Sequence, residues 1–150
     1  MFYLVFLMLS FCREHARCAI APSGAPSKVS LTVSNIQQVQ GMIWIGLYDS
    51  EETFLIKEKA IVKGYLVQQK GDMTIALPDV PYGTYAVALF HDLNNNGVLD
   101  QNVLGVPREP YAFSGELQSQ WRLPRFAEVK HTFAPGRATL ALKLEKWRAW

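Results

Sequence analysis

The run Thr84-Tyr-Ala-Val-Ala-Leu-Phe-His-Asp-Leu-Asn-Asn-Asn-Gly-Val-Leu-Asp100 falls into two halves of opposite character. Tyr85 to Phe90 is apolar without a break, the signature of a buried strand. From Asp92 the chain turns polar. Asp92, Asn94, Asn96 and Asp100 stand at positions 1, 3, 5 and 9 of a loop whose position 6 is Gly97. That is the opening of the calcium-loop pattern D-x-[DN]-x-[DN]-G. A hard cation such as Ca²⁺ takes about six to eight oxygens, and short Asp and Asn side chains at alternate positions can turn inward on one coil. Gly97 permits the sharp bend, and Val98 can offer its carbonyl. The pattern stops short of an EF-hand: position 12, where a bidentate Glu is required, is Val103, and no long helical pattern flanks the loop. Two readings stay open here. One is a Ca²⁺ loop held by Asp92, Asn94, Asn96, Val98 and Asp100; the other is an Asx-rich turn that holds no metal.

Working outward, residues 28–35 alternate, with Val29, Leu31 and Val33 on one face and Ser30, Thr32 and Ser34 on the other. This predicts a half-buried strand. Residues 42–48 are apolar on both faces, which predicts a central strand. Asp49 followed by Glu52 resembles a capping box and predicts a short helical turn over residues 50–57, with Phe54 and Leu55 packed inward. Residues 60–68 form a third strand, and Lys70-Gly71-Asp72 turns it into a fourth at 73–77 with Met73, Ile75 and Leu77 on one face. The fifth, 84–91, delivers the polar loop. Residues 129–133 and 138–144 are the last two, joined by Ala134-Pro135-Gly136-Arg137, a type II turn signature. The expectation is an all-β fold: a seven-stranded antiparallel β-sandwich with a long loop, residues 92–128, after the fifth strand. A small barrel is the alternative. A loop of that length is uncommon in a compact domain unless it is functional or tied down, and a cation across its first turn would tie it.

The bulk properties agree with one domain of 150 residues, 49% of them hydrophobic. A net charge of +2 gives no argument for nucleic acid or an anionic membrane surface. Phe2 to Cys12 is apolar except for Ser10, too short to span a bilayer and suited to the core of a secretory signal peptide. Ala19-Ile20-Ala21 offers a cleavage site, although no Lys or Arg precedes the apolar run and Pro22 would follow the cut. The expected division is a signal peptide at 1–21, a Pro/Ser/Gly linker at 22–27 and the β domain at 28–150. Export follows, to the periplasm or beyond, with no transmembrane segment. Cys12 and Cys18 both lie in the leader, so the rest of the chain carries no disulfide and no thiolate metal site.

Pro81-Tyr-Gly-Thr-Tyr-Ala-Val87 resembles the P-x-G-x-Y strand entry of transthyretin-like and collagen-adhesin B-type sandwich domains. The longer series is closer to one bacterial family. Gly83 to Val87, His91-Asp92, Asn94 to Gly97, Asp100, Gly105-Val-Pro-Arg-Glu109 and Tyr111-Ala-Phe-Ser114 resemble, in order and spacing, the family named domain of unknown function 2141. The resemblance spans roughly residues 29–144. It implies an exported, immunoglobulin-like or transthyretin-like sandwich and no established activity. A G-F-S-N run is usual there, and Ala112 and Gly115 depart from it.

The resemblance also draws Glu109 into the loop. It is the nearest carboxylate after Asp100, and by folding back it would supply the missing ligand. The competing reading is a surface Glu paired with Arg108 or Arg125. His91 is either a proton shuttle or metal ligand, or a side chain that hydrogen-bonds the loop backbone. His131 and His91 lack the spacing of a zinc site, and Ser114 lacks a G-x-S-x-G setting. Tyr111, Phe113, Trp121 and Phe126 either cover one end of the sandwich or form a stacking platform, with Arg108, Arg122 and Arg125 nearby. Two functions are carried forward. The first is an exported, non-enzymatic, Ca²⁺-stabilised module that binds a protein or a saccharide. The second is a hydrolase using His91 with Asp92 or Glu109.

Overall fold

The computed structural model describes residues 28–119 and 122–147. The expected leader, its cleavage site, both cysteines, the linker and Trp121 lie outside the described residues. Among those residues the chain forms eight strands: β1 (Ser30–Ile36), β2 (Met42–Tyr48), β3 (Ile61–Leu66), β4 (Gly71–Ala76), β5 (Gly83–Asp92), β6 (Tyr111–Phe113), β7 (Lys130–Phe133) and β8 (Thr139–Lys143). One short helix, α1 (Phe126–Val129), precedes β7.

The fold is all-β, with two sheets and no barrel. One sheet has the order β4-β1-β8; the other runs β3-β2-β5-β6, and β7 also pairs with β5. β6 takes Ala88 to Phe90 and β7 takes Gly83 to Ala86, so two short strands follow one another along the long strand. The expected seven strands are therefore corrected to eight. Tyr-Ala-Phe at 111–113 is too short to show a period and is a strand only because β5 pairs with it. Uniform antiparallel pairing is corrected as well: β1 and β8 run parallel, with Leu31 opposite Leu140 and Val33 opposite Leu142.

Alternation built the core as read. Val29, Leu31 and Val33 from the first sheet are buried in one cluster with Met73, Ile75 and Leu77, and with Ile43, Ile45, Val87 and Leu89 from the second. Burying side chains of this size contributes about 1.5–3 kcal/mol each. The apolar second face of β2 is explained by its place between β3 and β5 and by a cover on its far side. Tyr48, Ala86 and Val129 form a second cluster there with Phe54, Leu55, Phe113 and Phe126. The Phe54 ring meets those of Tyr48, Phe113 and Phe126 edge-on, at centroid distances of 5.5, 6.5 and 6.2 Å. Phe54 and Leu55 thus pack onto this outer face, away from the core between the sheets. No capping box starts at Asp49: its Oδ1 accepts from the hydroxyls of Thr53 (3.0 Å) and Ser50 (3.2 Å), holding a turn that leads to a single 3₁₀ turn at Lys57–Lys59. The type II turn is present: Ala134 and Arg137 exchange backbone hydrogen bonds, and Gly136 has φ +79°.

Candidate functional site

Successive side chains of a strand point to opposite faces. At the end of β5 this sends His91 to the core side and Asp92 to the outer side. His91 is buried, and its Nε2 lies 2.6 Å from the carbonyl of Gln40. A carbonyl only accepts, so Nε2 carries the proton. The His91 backbone N–H donates to Pro110 O at 2.8 Å, closing the loop at its base. His91 therefore holds backbone, and it forms no acid–base pair with Asp92.

Asp92 is 0% exposed, yet its carboxylate is fully engaged. Oδ1 accepts from the Asn96 N–H at 3.2 Å; Oδ2 accepts from the Gly97 N–H at 2.7 Å and from the Trp44 indole N–H at 3.0 Å. Burial by itself would raise the pKa of this group. The donors from Gly97, Trp44, Asn96 and Asn95 outweigh it and hold the carboxyl below its ordinary range. The coil needs left-handed backbone at Asn95 (φ +59°) and at Gly97 (φ +74°), residue types that tolerate it.

The remaining loop residues converge on the same turn. Asp100 accepts from the Asn94 amide at 2.7 Å and the Asn96 amide at 3.0 Å. The Asn94 and Asn96 side-chain oxygens accept from the backbone N–H groups of Asn96 (3.1 Å) and Val98 (2.8 Å). Rotating either amide would exchange nitrogen for oxygen towards Asp100, the donor type that a hard cation requires. Val98 joins through its backbone, while its side chain is exposed. Among the described residues no three His, Cys, Asp or Glu side chains gather as a metal cluster, so a cation here would rest on mixed Asp and Asn oxygens.

Glu109 does fold back. It is 4% exposed, and its Oε1 and Oε2 accept from the backbone N–H of Leu93 (2.8 Å) and of Asp100 (3.1 Å). One carboxylate so bridges the two ends of the Asp/Asn coil, and the surface-pair reading is replaced. Beyond Asp100 the chain makes a second tight hairpin: Arg108 N–H donates to Asp100 O (2.8 Å), and Asn102 caps residues 104–106 with its side-chain oxygen. Gly41 seals the base from the other side. A Cβ there would lie 1.8 Å from the carbonyl oxygen of Asp92, and its φ is +71°. Ser114, the other candidate hydroxyl, accepts from Val87 N–H at 2.8 Å and donates to Val129 O, tying β5 to α1.

The loop is also a wall. On the outer face of the larger sheet lies a cavity of about 690 Å³, floored by Trp44, Gly46, Ala88 and Phe90 and walled by Gly97, Val98, Leu99, Gln101 and residues 104–107. Tyr111, Phe113, Leu117, Leu123 and Trp147 close other sides. No Asp, Glu or His belongs to this lining among the described residues. Arg122, at the rim, is held by Glu128 through two contacts of 2.6 and 2.9 Å. The Arg122 hydrogen bonds, with the Arg125 backbone N–H, hold the Glu128 carboxyl down at about 2. A family model described as uncharacterised proteins conserved in bacteria, DUF2141, matches residues 31–140. The chain belongs to this family. The DUF2141 match runs from β1 into β8 and takes in the loop, Glu109 and most of the cavity lining. Comparison with curated proteins and with solved structures finds no match. No helix among the described residues is long and apolar enough to cross a membrane.

Sequence reasoning placed Asp92, Asn94, Asn96, Asp100 and Glu109 in one loop, and the structure brings them together. It missed Trp44 and the cavity. The signal was present in β2, where Met42, Trp44, Gly46 and Tyr48 give the strand a second face that something must cover.

Proposed function

We propose that this chain is an exported, non-enzymatic binding module, periplasmic or secreted, whose Asp/Asn/Gly loop is stabilised by Ca²⁺. In this reading the two sheets form an immunoglobulin-like or transthyretin-like sandwich, and the partner, a protein or a saccharide as the sequence suggests, meets the outer face where the loop walls the cavity. The observation that carries it is that cavity, of a size suited to a ligand and lined without any carboxylate or imidazole among the described residues. A general acid or base must lie within reach of the reacting atoms, and His91, Asp92 and Glu109, the groups of the hydrolase reading, do not belong to this lining. The hydrolase alternative lacks support: His91 and Asp92 point to opposite faces, and both Glu109 oxygens are occupied by backbone N–H groups.

Support for Ca²⁺ comes from the convergence of Asp92, Asn94, Asn96 and Asp100 on one coil. The ion would stiffen the same segment that forms the wall. Extracellular modules of this kind bind Ca²⁺ at about 10⁻⁴–10⁻³ M. The test is a thermal melt of the full chain with millimolar Ca²⁺, with Mg²⁺, or with chelator. A melting temperature higher in Ca²⁺ than in chelator is expected. Identical curves would remove the ion from the proposal.

A further inference from the structure

We infer that the cavity on the outer face takes an uncharged small molecule with a hydrocarbon body. This rests on the reading of the chain as a binding module and sets a small molecule in this cavity in place of the protein or saccharide that the sequence suggests. Size comes first: about 690 Å³ lies within the range of small-molecule sites, roughly 300–1,000 Å³. The lining is mainly aliphatic and aromatic carbon, from Trp44, Phe90, Leu99, Tyr111, Phe113 and Leu117 among others.

Charge decides the rest. No carboxylate lines the cavity among the described residues, so a cationic ligand would find no counter-ion. Of the two cations at the rim, Arg122 is the one held by a carboxylate. Arg122 is clamped by both oxygens of Glu128, and Lys57 Nζ donates to the Gly97 carbonyl at 3.2 Å. An anionic ligand would have to displace Glu128 from Arg122 or be met by the solvent-exposed Lys57 alone, and it would lose its own hydration, which is costly in an apolar site. A saccharide needs a hydrogen-bond partner for nearly every hydroxyl that it buries. The Trp44 indole N–H, the polar edge of the floor, is already given to Asp92. An uncharged hydrocarbon body makes none of these demands.

The mouth has the same chemistry. Val98, Leu104 and Leu123 line the cavity and are 59, 82 and 71% exposed. Large apolar side chains left in water beside an apolar cavity mark a ligand entrance.

The test is fluorescence titration of the full chain with three probes: neutral N-phenyl-1-naphthylamine, anionic anilinonaphthalene sulfonate, and cellotetraose followed by intrinsic tryptophan emission. The neutral probe should bind at one site per chain, more tightly than the other two. Leu104→Asp at the exposed mouth and Val62→Asp on the neighbouring edge strand should each weaken it by about tenfold or more. Val39→Asp, exposed and outside the cavity, should leave it unchanged. Unaltered melting curves would show that the variants fold. Tighter binding of the anionic probe or of cellotetraose would overturn the ligand class and leave the binding-module reading standing. Binding of no probe, or neutral-probe binding indifferent to Leu104→Asp and Val62→Asp, would overturn the assignment of this cavity as the ligand site, and the module reading with it.

Discussion

Trp44 and Asp92 are 48 residues apart in the chain, and the indole N–H of one donates to the carboxylate of the other at 3.0 Å. The contact joins the two parts of the site. Trp44 is the cavity floor, and Asp92 is the residue on which the Asp/Asn coil is wound. A change at either is felt by the other through this bond and through Gly97, which donates to the same Oδ2.

Replacing Trp44 by Phe keeps a ring on the floor and removes one donor from a buried carboxylate. Hydrogen bonds to charged groups are worth about 1.5–3 kcal/mol, and the variant should lose an amount of this order. Urea denaturation would show it as a lower midpoint with an unchanged slope. A midpoint equal to that of the parent would mean that the bond does not stabilise the fold.

Glu109→Gln offers one acceptor oxygen where the carboxylate offers two. Either Leu93 N–H or Asp100 N–H is then left facing an NH₂ group, at a cost of about 1–3 kcal/mol. The melting temperature should fall even in chelator. The increment produced by Ca²⁺ should shrink as well. An unchanged increment in calorimetry or thermal melts would take Glu109 out of the ligand set and leave it as a backbone clamp.

Gly41→Ala and Gly136→Ala separate clash from strain. Both positions have left-handed backbone, with φ +71° and +79°. At Gly136 an added Cβ meets nothing within 4 Å, and the cost should be the conformational one, about 1–2 kcal/mol. At Gly41 the same atom runs into the Asp92 carbonyl, so Gly41→Ala should cost clearly more and disturb the base of the loop. Equal denaturation midpoints for the two variants would contradict the close approach.

Acid should weaken the protein through two carboxylates. Asp92 and Glu128 are both held below their ordinary values, Glu128 at about 2 against 4.5. The unfolded chain then binds protons first as the pH falls. The stabilisation is complete above about pH 4.5 and is lost as the pH drops towards about 2. Glu128→Gln should flatten the part of the profile that comes from the Arg122 pair, a small part, because that pair is exposed. His131 acts in the same direction at higher pH. Burial first, then Arg137, lowers its pKa, so stability should also decline as the pH falls through about 6.5. Urea midpoints measured from about pH 7 down to about 2.5 would test both.

Legibility followed range. β1 and β4 could be read because Val29-Leu31-Val33 and Met73-Ile75-Leu77 carry a period of two within themselves. The metal-like coil could be read because Asp92 to Asp100 is local and each residue type has one strong geometric use. Glu109 was within reach because the distance back to Asp100 is short. β6 was not legible, since three residues hold no period, and neither was the parallel partnership of β1 with β8, which is set by tertiary packing. Trp44 was hidden for the same reason. Nothing at positions 42–48 announces a carboxylate at 92, although a strand apolar on both sides announces that its second face is covered.

The parallel pairing of β1 with β8 has a consequence for synthesis. β1 leaves the ribosome long before its partner on one side, Thr139–Lys143. Until those residues emerge, the Ser30-to-Ser34 edge presents unpaired backbone groups to any neighbouring chain. Nascent chains truncated before residue 139 should therefore associate edge to edge, and the smaller sheet can close only after residues 139–143 have been made.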